Sequence, residues 1–291
     1  MDCLQANTIY QGCALELARR FRDQTPVVQA VVTSPPYFGH RVYSDSDSRE
    51  LGRESTVSDY VERLVETLDA LRPLVVNDGV LWLNLGDTYR NGVLQSVPWR
   101  VALAMQDRGW LLRSDVIWHK PNAMPSAASR RPTVDHEYLF LFSKSRRYFY
   151  DADAVREPHV TFSEHSRMRG GRKHFGIRHG TPESGKLAGQ INMHNGRWDQ
   201  AFHPRGRNRR TVWSVPLGKC REAHFAVFPE RLVEPCILST VPPQGLVLDP
   251  FMGAGTTACV AMRHGRRYIG FELVPEYVAL AKRRIAAVTA S

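Results

Sequence analysis

The sequence predicts an α/β protein with one doubly wound, mostly parallel sheet and a small basic insertion. Short apolar segments that suit buried strands alternate with segments of helical spacing, which is typical of βαβ units. Two strand-like segments, 111–119 and 137–143, follow each other directly and predict an antiparallel hairpin at one edge of the sheet. The chain has 291 residues and is 43% hydrophobic, so it is long enough to bury a sizeable core.

The first part of the chain contains five predicted strands and three predicted helices. Val61, Leu64 and Leu68 recur at helical spacing. Pro98 suits the first turn of a helix, and Asn77–Gly79 is typical of a turn. The predicted strands are 8–10, 30–33, 80–85, 111–119 and 137–143, and the predicted helices are 14–21, 57–76 and 98–108.

The alternation resumes after residue 212. The predicted elements there are helix 229–240, strand 245–248, helix 256–264, strand 267–271 and helix 275–287. Cys236 follows Pro235 within the first of these helices, so we expect it to belong to the core. The five cysteines are scattered and never spaced C-x-x-C, which predicts no metal site, no disulfide framework and a cytoplasmic location.

The segment between the two parts differs in composition. Residues 154–212 contain twelve basic and four acidic residues, so they carry a net +8 of the chain's +10. We therefore expect residues 1–153 and 213–291 to be two halves of one domain, with 154–212 inserted between them. Basic side chains interleaved with aromatic ones favour contact with DNA. The candidate DNA contacts are Arg172, Lys173, Arg197, Arg205, Arg207, Arg209 and Arg210.

A Gly-rich turn, Asp249–Thr257, lies between a predicted strand and a predicted helix. Gly253 and Gly255 permit a tight bend and a close approach of a ligand to the backbone. Glu272 ends the next predicted strand, where a carboxylate can accept hydrogen bonds from both hydroxyls of a ribose. The turn therefore predicts a site for a cofactor that contains a nucleoside, and it also fits the pattern of a dinucleotide site.

A second motif, Thr33–Tyr37, ends an apolar strand with two prolines. Pro35 and Pro36 fix the backbone, so they predict a rigid corner at the carboxyl edge of the sheet. The Ser34 hydroxyl and the Pro35 carbonyl can accept both N–H bonds of an exocyclic amino group. This would localise the nitrogen lone pair towards an electrophile, while Tyr37 stacks on a base that has left the duplex.

Together these motifs resemble the amino-group DNA methyltransferases that use S-adenosyl-L-methionine. The chain is similar to them over residues 8–150 and 213–288, and His224–Pro229 also resembles a family segment beside the methionine part of the cofactor. The order of the corner, the basic segment and the Gly-rich turn is that of the permuted β group. The resemblance implies a Rossmann-like methyltransferase fold, S-adenosyl-L-methionine as cofactor and no metal.

The resemblance also implies roles for individual residues. Ser34, Pro35, Pro36 and Tyr37 would form the target-base pocket. One departure from the family is Cys13, because relatives usually have there an aspartate that contacts the cofactor's adenine. The residues implied at the cofactor are Cys13, Phe225, Asp249, Phe251, Gly253, Gly255, Thr256 and Glu272.

The S-P-P-Y form of the corner is mostly associated with N4 of cytosine in this family, so we expect N4-methylcytosine as the product. N6 of adenine is the alternative on the same fold. An inactive DNA-binding protein, an NAD-type oxidoreductase, and transfer to RNA or protein glutamine are alternatives of other classes. The expected partners are a short specific duplex sequence and a functionally paired restriction endonuclease. We expect a monomer or homodimer that does not associate with membranes.

Overall fold

The computed structural model describes residues 3–39, 49–158, 205–218 and 229–289. The strands are β1 (Thr8–Gln11), β2 (Val28–Thr33), β3 (Val75–Leu85), β4 (Tyr89–Arg90), β5 (Val93–Leu94), β6 (Leu111–His119), β7 (His136–Ser143), β8 (Val212–Ser214), β9 (Leu246–Asp249) and β10 (Arg267–Glu272). The helices are α1 (Ala14–Phe21), α2 (Val57–Ala70), α3 (Val97–Asp107), α4 (Glu230–Thr240), α5 (Thr256–Arg263) and α6 (Pro275–Thr289).

Eight of these strands form one mixed sheet in the order β1-β10-β9-β2-β3-β7-β6-β8. All pairs from β1 to β3 are parallel. β7 is antiparallel to β6, as the two successive strand-like segments predicted, and it is also antiparallel to β3. The prediction that this hairpin lies at the edge was wrong, because the three-residue strand β8 pairs in parallel with β6 outside it.

The two faces of the sheet are covered by different helices. Along β2, Val31 packs in one core cluster, whereas Ala30 and Val32 pack in the other, because successive side chains of a strand point to opposite faces. Most buried apolar residues of α1, α2 and α3 belong to the first cluster, and most of those of α4, α5 and α6 belong to the second. Three helices on each face confirm the predicted doubly wound α/β fold.

One predicted turn lies inside a strand. Asn77–Gly79 belongs to β3, where the register against β2 advances from Val28↔Val75 to Ala30↔Val80. The extra residues on β3 form an irregularity in the ladder, which is where a polar Asn-Asp-Gly sequence is tolerated in a strand. The helix predicted to run to residue 76 ends at Ala70, because the short 3₁₀ turn Arg72–Leu74 contains a proline and leads directly into β3.

The chain divides into two compact units, residues 1–151 with 210–291 and residues 152–209. The composition change at 154 and 212 lies within three residues of these limits. In the described part of the smaller unit, Glu157 and Arg207 form an antiparallel bridge with backbone hydrogen bonds of 2.9 and 2.8 Å. No helix in the described ranges is long and apolar enough to cross a membrane.

Candidate active site

A cleft opens at the carboxyl edge of the sheet, beside the place where β9 and β2 are neighbours. This is the switch point of a doubly wound sheet, where the crossover connections lead away to opposite faces and ligands bind. The segments that line the cleft include the end of β1, the proline corner after β2, the Gly-rich turn after β9 and the end of β10, and residues 49–51 and α2 also contribute. Lining residues from these segments include Cys13, Ser34, Pro36, Phe251, Gly253, Thr256 and Glu272.

The two glycines of the turn have different surroundings. Gly253 has φ of +50° and lines the cleft, and a Cβ atom added there would have only the Phe251 carbonyl oxygen, at 3.9 Å, within 4 Å. Gly255 has φ of +80°, and a Cβ atom there would lie 2.9 Å from Cβ of Ala281 on α6. Gly253 therefore leaves room for a ligand, whereas Gly255 lets the turn pack against a helix.

Glu272 sits at the end of β10 and lines the cleft with 8% of its surface exposed. Its Oε2 accepts a hydrogen bond from the Gly253 amide at 2.7 Å, and its Oε1 accepts one from the Val274 amide at 2.9 Å. Burial raises the pKa of this carboxyl, and the two amides partly offset that effect. Each oxygen keeps a further lone pair, so the carboxylate can still accept ligand hydroxyls.

Asp249 connects the proline corner to the Gly-rich turn by hydrogen bonds. It is 1% exposed, and its Oδ1 accepts hydrogen bonds from Thr33 Oγ1 at 2.7 Å and from the Phe251 amide at 3.1 Å. Its Oδ2 accepts one from Thr257 Oγ1 at 2.7 Å. Asp249 and Gly255 thus lie behind the residues that line the cleft, and a direct contact of either with a cofactor stays a prediction.

Replacing Asp249 by asparagine is expected to remove a pH-dependent part of the folding free energy. Burial raises the pKa of this carboxyl from its ordinary 3.8 to about 6, so the folded state binds the proton more tightly than the unfolded state. This group therefore lowers the free energy of unfolding as pH rises from about 4 to about 6, by about 3 kcal/mol in total. Urea unfolding of both proteins across this range measures the difference.

Asp59→Asn is the control for that measurement. Hydrogen bonds from the Thr56 and Ser55 hydroxyls lower the pKa of this exposed carboxyl. Its stabilisation is therefore present at higher pH and lost as pH falls, which is the opposite sign. If the free energy of unfolding of Asp249→Asn depends on pH in the same way as that of the wild type, the assignment of a raised pKa to Asp249 is contradicted.

The proline corner is held in place by neighbouring residues, and its role as the acceptor of a target amino group stays a prediction. Ser34 and Pro36 line the cleft. The Tyr60 hydroxyl, from α2, donates to the Pro36 carbonyl at 2.8 Å and fixes the end of the corner. Among the described residues, no group donates a hydrogen bond to the Pro35 carbonyl.

A polar network that the motifs did not predict lies behind Ser34. Asn84 Nδ2 lies 3.3 Å from Ser34 Oγ, 2.6 Å from the Tyr37 hydroxyl and 2.8 Å from Glu137 Oε2. Tyr37 donates to Glu137 Oε2 at 2.6 Å, and Lys120 donates to Glu137 Oε1. Two signals pointed to these residues: Asn84 is polar inside an apolar strand, and the predicted hairpin brings Lys120 and Glu137 to the corner's edge of the sheet.

Tyr37 is fixed at both its hydroxyl and its ring. Burial, followed by the charge of Glu137, raises its pKa well above the ordinary value, so the hydroxyl stays protonated. A Cβ atom added at Gly86 would lie 2.8 Å from Cε2 of this ring, so a larger residue there would displace it. Tyr37 is not among the residues that line the cleft, and its stacking on a target base stays a prediction.

The other predicted site residues are placed as follows. Cys13 precedes α1 at the cleft, and Cys236 is 1% exposed in α4, as expected for a core residue. Within the smaller unit, Arg205 and Arg207 pair with Asp153 and Glu157. Arg209 is half-buried and Arg210 is exposed. The remaining candidates, Arg172, Lys173, Arg197 and Phe225, lie outside the described residues. Across the described ranges, no group of three or more His, Cys, Asp or Glu side chains is placed to hold a metal ion.

Fold and cleft together define a class of protein. The Gly-rich turn and the carboxylate at the next strand end suit a nucleoside-containing cofactor, and Ser34 and Pro36 of the proline corner line the same cleft. These features are those of an α/β group-transfer enzyme.

Comparison with known proteins identifies the family. The sequence model of a family described as DNA methylase, of the N6 and N4 type, matches residues 28–283. The type II methyltransferase M.XycI of Xanthomonas campestris pv. cyanopsidis is 36% identical in an alignment of 311 positions, which covers 97% of this chain and 88% of the relative. This chain belongs to the N6/N4 DNA methylase family.

Two solved structures share the fold. The PvuII DNA methyltransferase, described as cytosine-N4-specific, has a TM-score of 0.67 at 22% identity, with 99% of this chain and 92% of that chain covered. A Thermus thermophilus protein solved in complex with S-adenosyl-L-methionine has a TM-score of 0.60 at 26% identity, with 97% of this chain and 94% of that chain covered.

Proposed function

We propose that this DNA methyltransferase transfers a methyl group from S-adenosyl-L-methionine to N4 of a cytosine that is flipped out of a specific duplex sequence. The observation that carries the proposal is the placement of Ser34. Its hydroxyl lines the same cleft as the Gly-rich turn and Glu272, next to a Pro35 carbonyl to which no described group donates. Ser34 thus stands at the nucleoside-cofactor pocket, whereas Pro35, the next residue, is buried and not among the residues that line the cleft.

The residues of the pocket suit S-adenosyl-L-methionine. Space beside Gly253 admits the cofactor close to the backbone, Phe251 offers an apolar surface, and the Glu272 carboxylate can accept hydrogen bonds from ribose hydroxyls. When bound, the cofactor supplies an electrophilic methyl group on a sulfonium. Cys13 lies at the cleft where relatives usually carry an aspartate, so a backbone group or a neighbour would hold the adenine amino group.

The chemistry required of the protein is positioning and removal of a proton. An exocyclic amino group is a poor nucleophile because its lone pair is delocalised into the ring. The Ser34 hydroxyl oxygen and the Pro35 carbonyl accept its two N–H bonds and so direct the lone pair out of the ring plane. The two prolines and the bond from Tyr60 to Pro36 keep these acceptors rigid. The base must leave the duplex to reach them.

The basic residues 154–212 would contact DNA, and their place between the corner and the Gly-rich turn is the order of the β group. Phosphate contacts from arginine and lysine give affinity, whereas contacts to base edges give sequence preference. The relatedness to type II methyltransferases supports a site-specific enzyme that works alongside a restriction endonuclease recognising the same sequence.

The product distinguishes cytosine from adenine as the target. Incubation of the protein with S-adenosyl-L-methionine labelled in the methyl group and with plasmid DNA is expected to label N4-methyldeoxycytidine after digestion to nucleosides. The reason is the serine of the S-P-P-Y corner, the form mostly associated with cytosine in this family. If the label is found in N6-methyldeoxyadenosine, the target is adenine and not cytosine. If the DNA carries no label, the proposed function is overturned.

A further inference from the structure

The hydrogen bonds behind Ser34 have only one consistent direction. The Asn84 amide nitrogen can only donate, and the Glu137 carboxylate can only accept. Exchanging nitrogen and oxygen of Asn84 would place its oxygen 2.8 Å from a carboxylate oxygen, so the amide orientation is fixed by chemistry. The hydrogen of the Tyr37 hydroxyl must therefore point to Glu137 Oε2, 2.6 Å away.

The direction at Ser34 follows from that of Tyr37. Since the Tyr37 hydrogen points to Glu137, Ser34 must be the donor in its 3.3 Å contact with the Tyr37 oxygen. The Ser34 hydrogen therefore points away from the cleft. The Asn84 amide, 3.3 Å away, donates to one lone pair of the Ser34 oxygen, and the other remains for a ligand in the cleft. A serine held in this way acts as an acceptor for an amino group rather than as a donor.

We propose that Glu137, acting through Tyr37, fixes Ser34 as an acceptor and takes up the proton that the target amino group loses. Glu137 is a positioning residue for this reaction because it reaches the base only through two hydroxyls. This inference rests on the proposed amino-methyl transfer and adds the destination of the proton. Ser34 cannot keep that proton itself, because a protonated aliphatic hydroxyl is a very strong acid.

The proton transfer balances without any redox partner. The amino nitrogen forms a bond to the methyl carbon as the carbon–sulfur bond breaks, with that bonding pair staying on sulfur. One proton then leaves the nitrogen for Ser34 Oγ, as the Ser34 proton moves to the Tyr37 oxygen and the Tyr37 proton moves to Glu137 Oε2. Both hydroxyls are restored, and Glu137 becomes a carboxylic acid that later loses its proton to water.

Lys120 and Asn84 prepare Glu137 for this role. Lys120 donates to Oε1, which leaves Oε2 as the oxygen that faces Tyr37. The ammonium also lies 4.7 Å from the centroid of the Trp118 ring, which helps to hold it in place. Asn84 is completely buried, and its amide lies within hydrogen-bond distance of both the Tyr37 hydroxyl oxygen and Glu137 Oε2.

Single-turnover methyl transfer by Glu137→Gln tests the inference. The glutamine carbonyl can still accept the Tyr37 hydrogen, but it cannot take a proton. The rate at saturating cofactor and DNA is expected to fall about 10²- to 10³-fold, within the range for general base catalysis. The dissociation constant of S-adenosyl-L-methionine, measured by calorimetry, should stay within about twofold, because a role in proton uptake changes the rate and not ground-state binding.

A second variant, Tyr37→Phe, interrupts the same proton path at the hydroxyl between Ser34 and Glu137. Tyr37→Phe keeps the ring and removes only the hydroxyl, so its rate should fall by a similar factor. The double variant should be no slower than the slower single variant, since groups that act as one unit are not additive. Glu66→Gln is the matched control, because Glu66 forms an exposed ion pair with Arg19, and it should react at the wild-type rate.

The outcomes separate this inference from the proposed function. Wild-type protein that methylates no DNA amino group overturns the function itself. If the wild-type protein is active and Glu137→Gln reacts at the wild-type rate, only the role of Glu137 is overturned. The same holds if the rate losses of Glu137→Gln and Tyr37→Phe multiply independently in the double variant. Should Glu137→Gln fail to fold, Tyr37→Phe decides alone: a large loss supports the proton path, and a wild-type rate overturns it.

Discussion

Replacing Ser34 by alanine is expected to lower the rate of methyl transfer by about 10³-fold, because it removes both an acceptor for the target amino group and the first link of the proton path. In the proposed arrangement Ser34 donates to Tyr37 and keeps one lone pair for the cleft, so alanine leaves one N–H of the base without a partner. Single-turnover rates with labelled cofactor measure the loss.

Cofactor binding should survive this change. The contacts predicted for the nucleoside part, at Gly253 and Glu272, come from other segments of the cleft. Calorimetric titration of Ser34→Ala with S-adenosyl-L-methionine is expected to give a dissociation constant within about twofold of wild type. Ser145→Ala is the control, since this hydroxyl bonds to the Arg147 carbonyl just beyond the end of β7 at the opposite edge of the sheet. A Ser34→Ala enzyme as fast as this control would show that the corner is not catalytic.

Alanine at Gly255 is expected to cost about 2–4 kcal/mol of unfolding free energy. The position has φ of +80°, which costs an L-residue about 1–2 kcal/mol, and the new methyl would lie 2.9 Å from Cβ of Ala281. The turn and α6 must separate to admit it. Urea denaturation of the apo protein measures this loss directly.

Gly253→Ala is the matched control, two residues away in the same turn. Its methyl would have only the Phe251 carbonyl within 4 Å, so the fold should lose about 1 kcal/mol from backbone strain alone. The main effect there should be weaker binding of S-adenosyl-L-methionine, because Gly253 lines the cleft. Equal stability losses for the two alanine variants would contradict the separate roles of the two glycines.

The sequence predicted the sheet and the residues of the cleft because both follow from local rules. The strand predicted at 111–119 has the predicted limits, whereas the buried run Val80–Leu85 forms only the second part of β3, which begins at Val75. Strand ends in an α/β sheet meet at one edge, so Ser34, Gly253 and Glu272 could be placed together before any coordinates.

What the sequence could not predict depends on pairings between distant residues. Lys120 and Glu137 meet, and Glu137 contacts Tyr37, because β6 and β7 pair antiparallel beside β3, and no local pattern specifies that register. The same holds for β8, whose three residues have too little periodicity to be recognised as a strand. The role of Asp249 as a buried link was also hidden, because its donor Thr33 is 216 residues away in the chain.

The link between Thr33 and Asp249 also has a consequence for how the enzyme is made. β9 pairs with β2 and completes the sheet between β2 and β10, so the proline corner lacks one neighbour until residue 249 has been synthesised. At a synthesis rate of about 5–20 residues per second, on the order of 10–40 s pass between synthesis of the corner and synthesis of β9. Long-range pairing of this kind slows folding, so the cleft forms only after β9 has docked against β2.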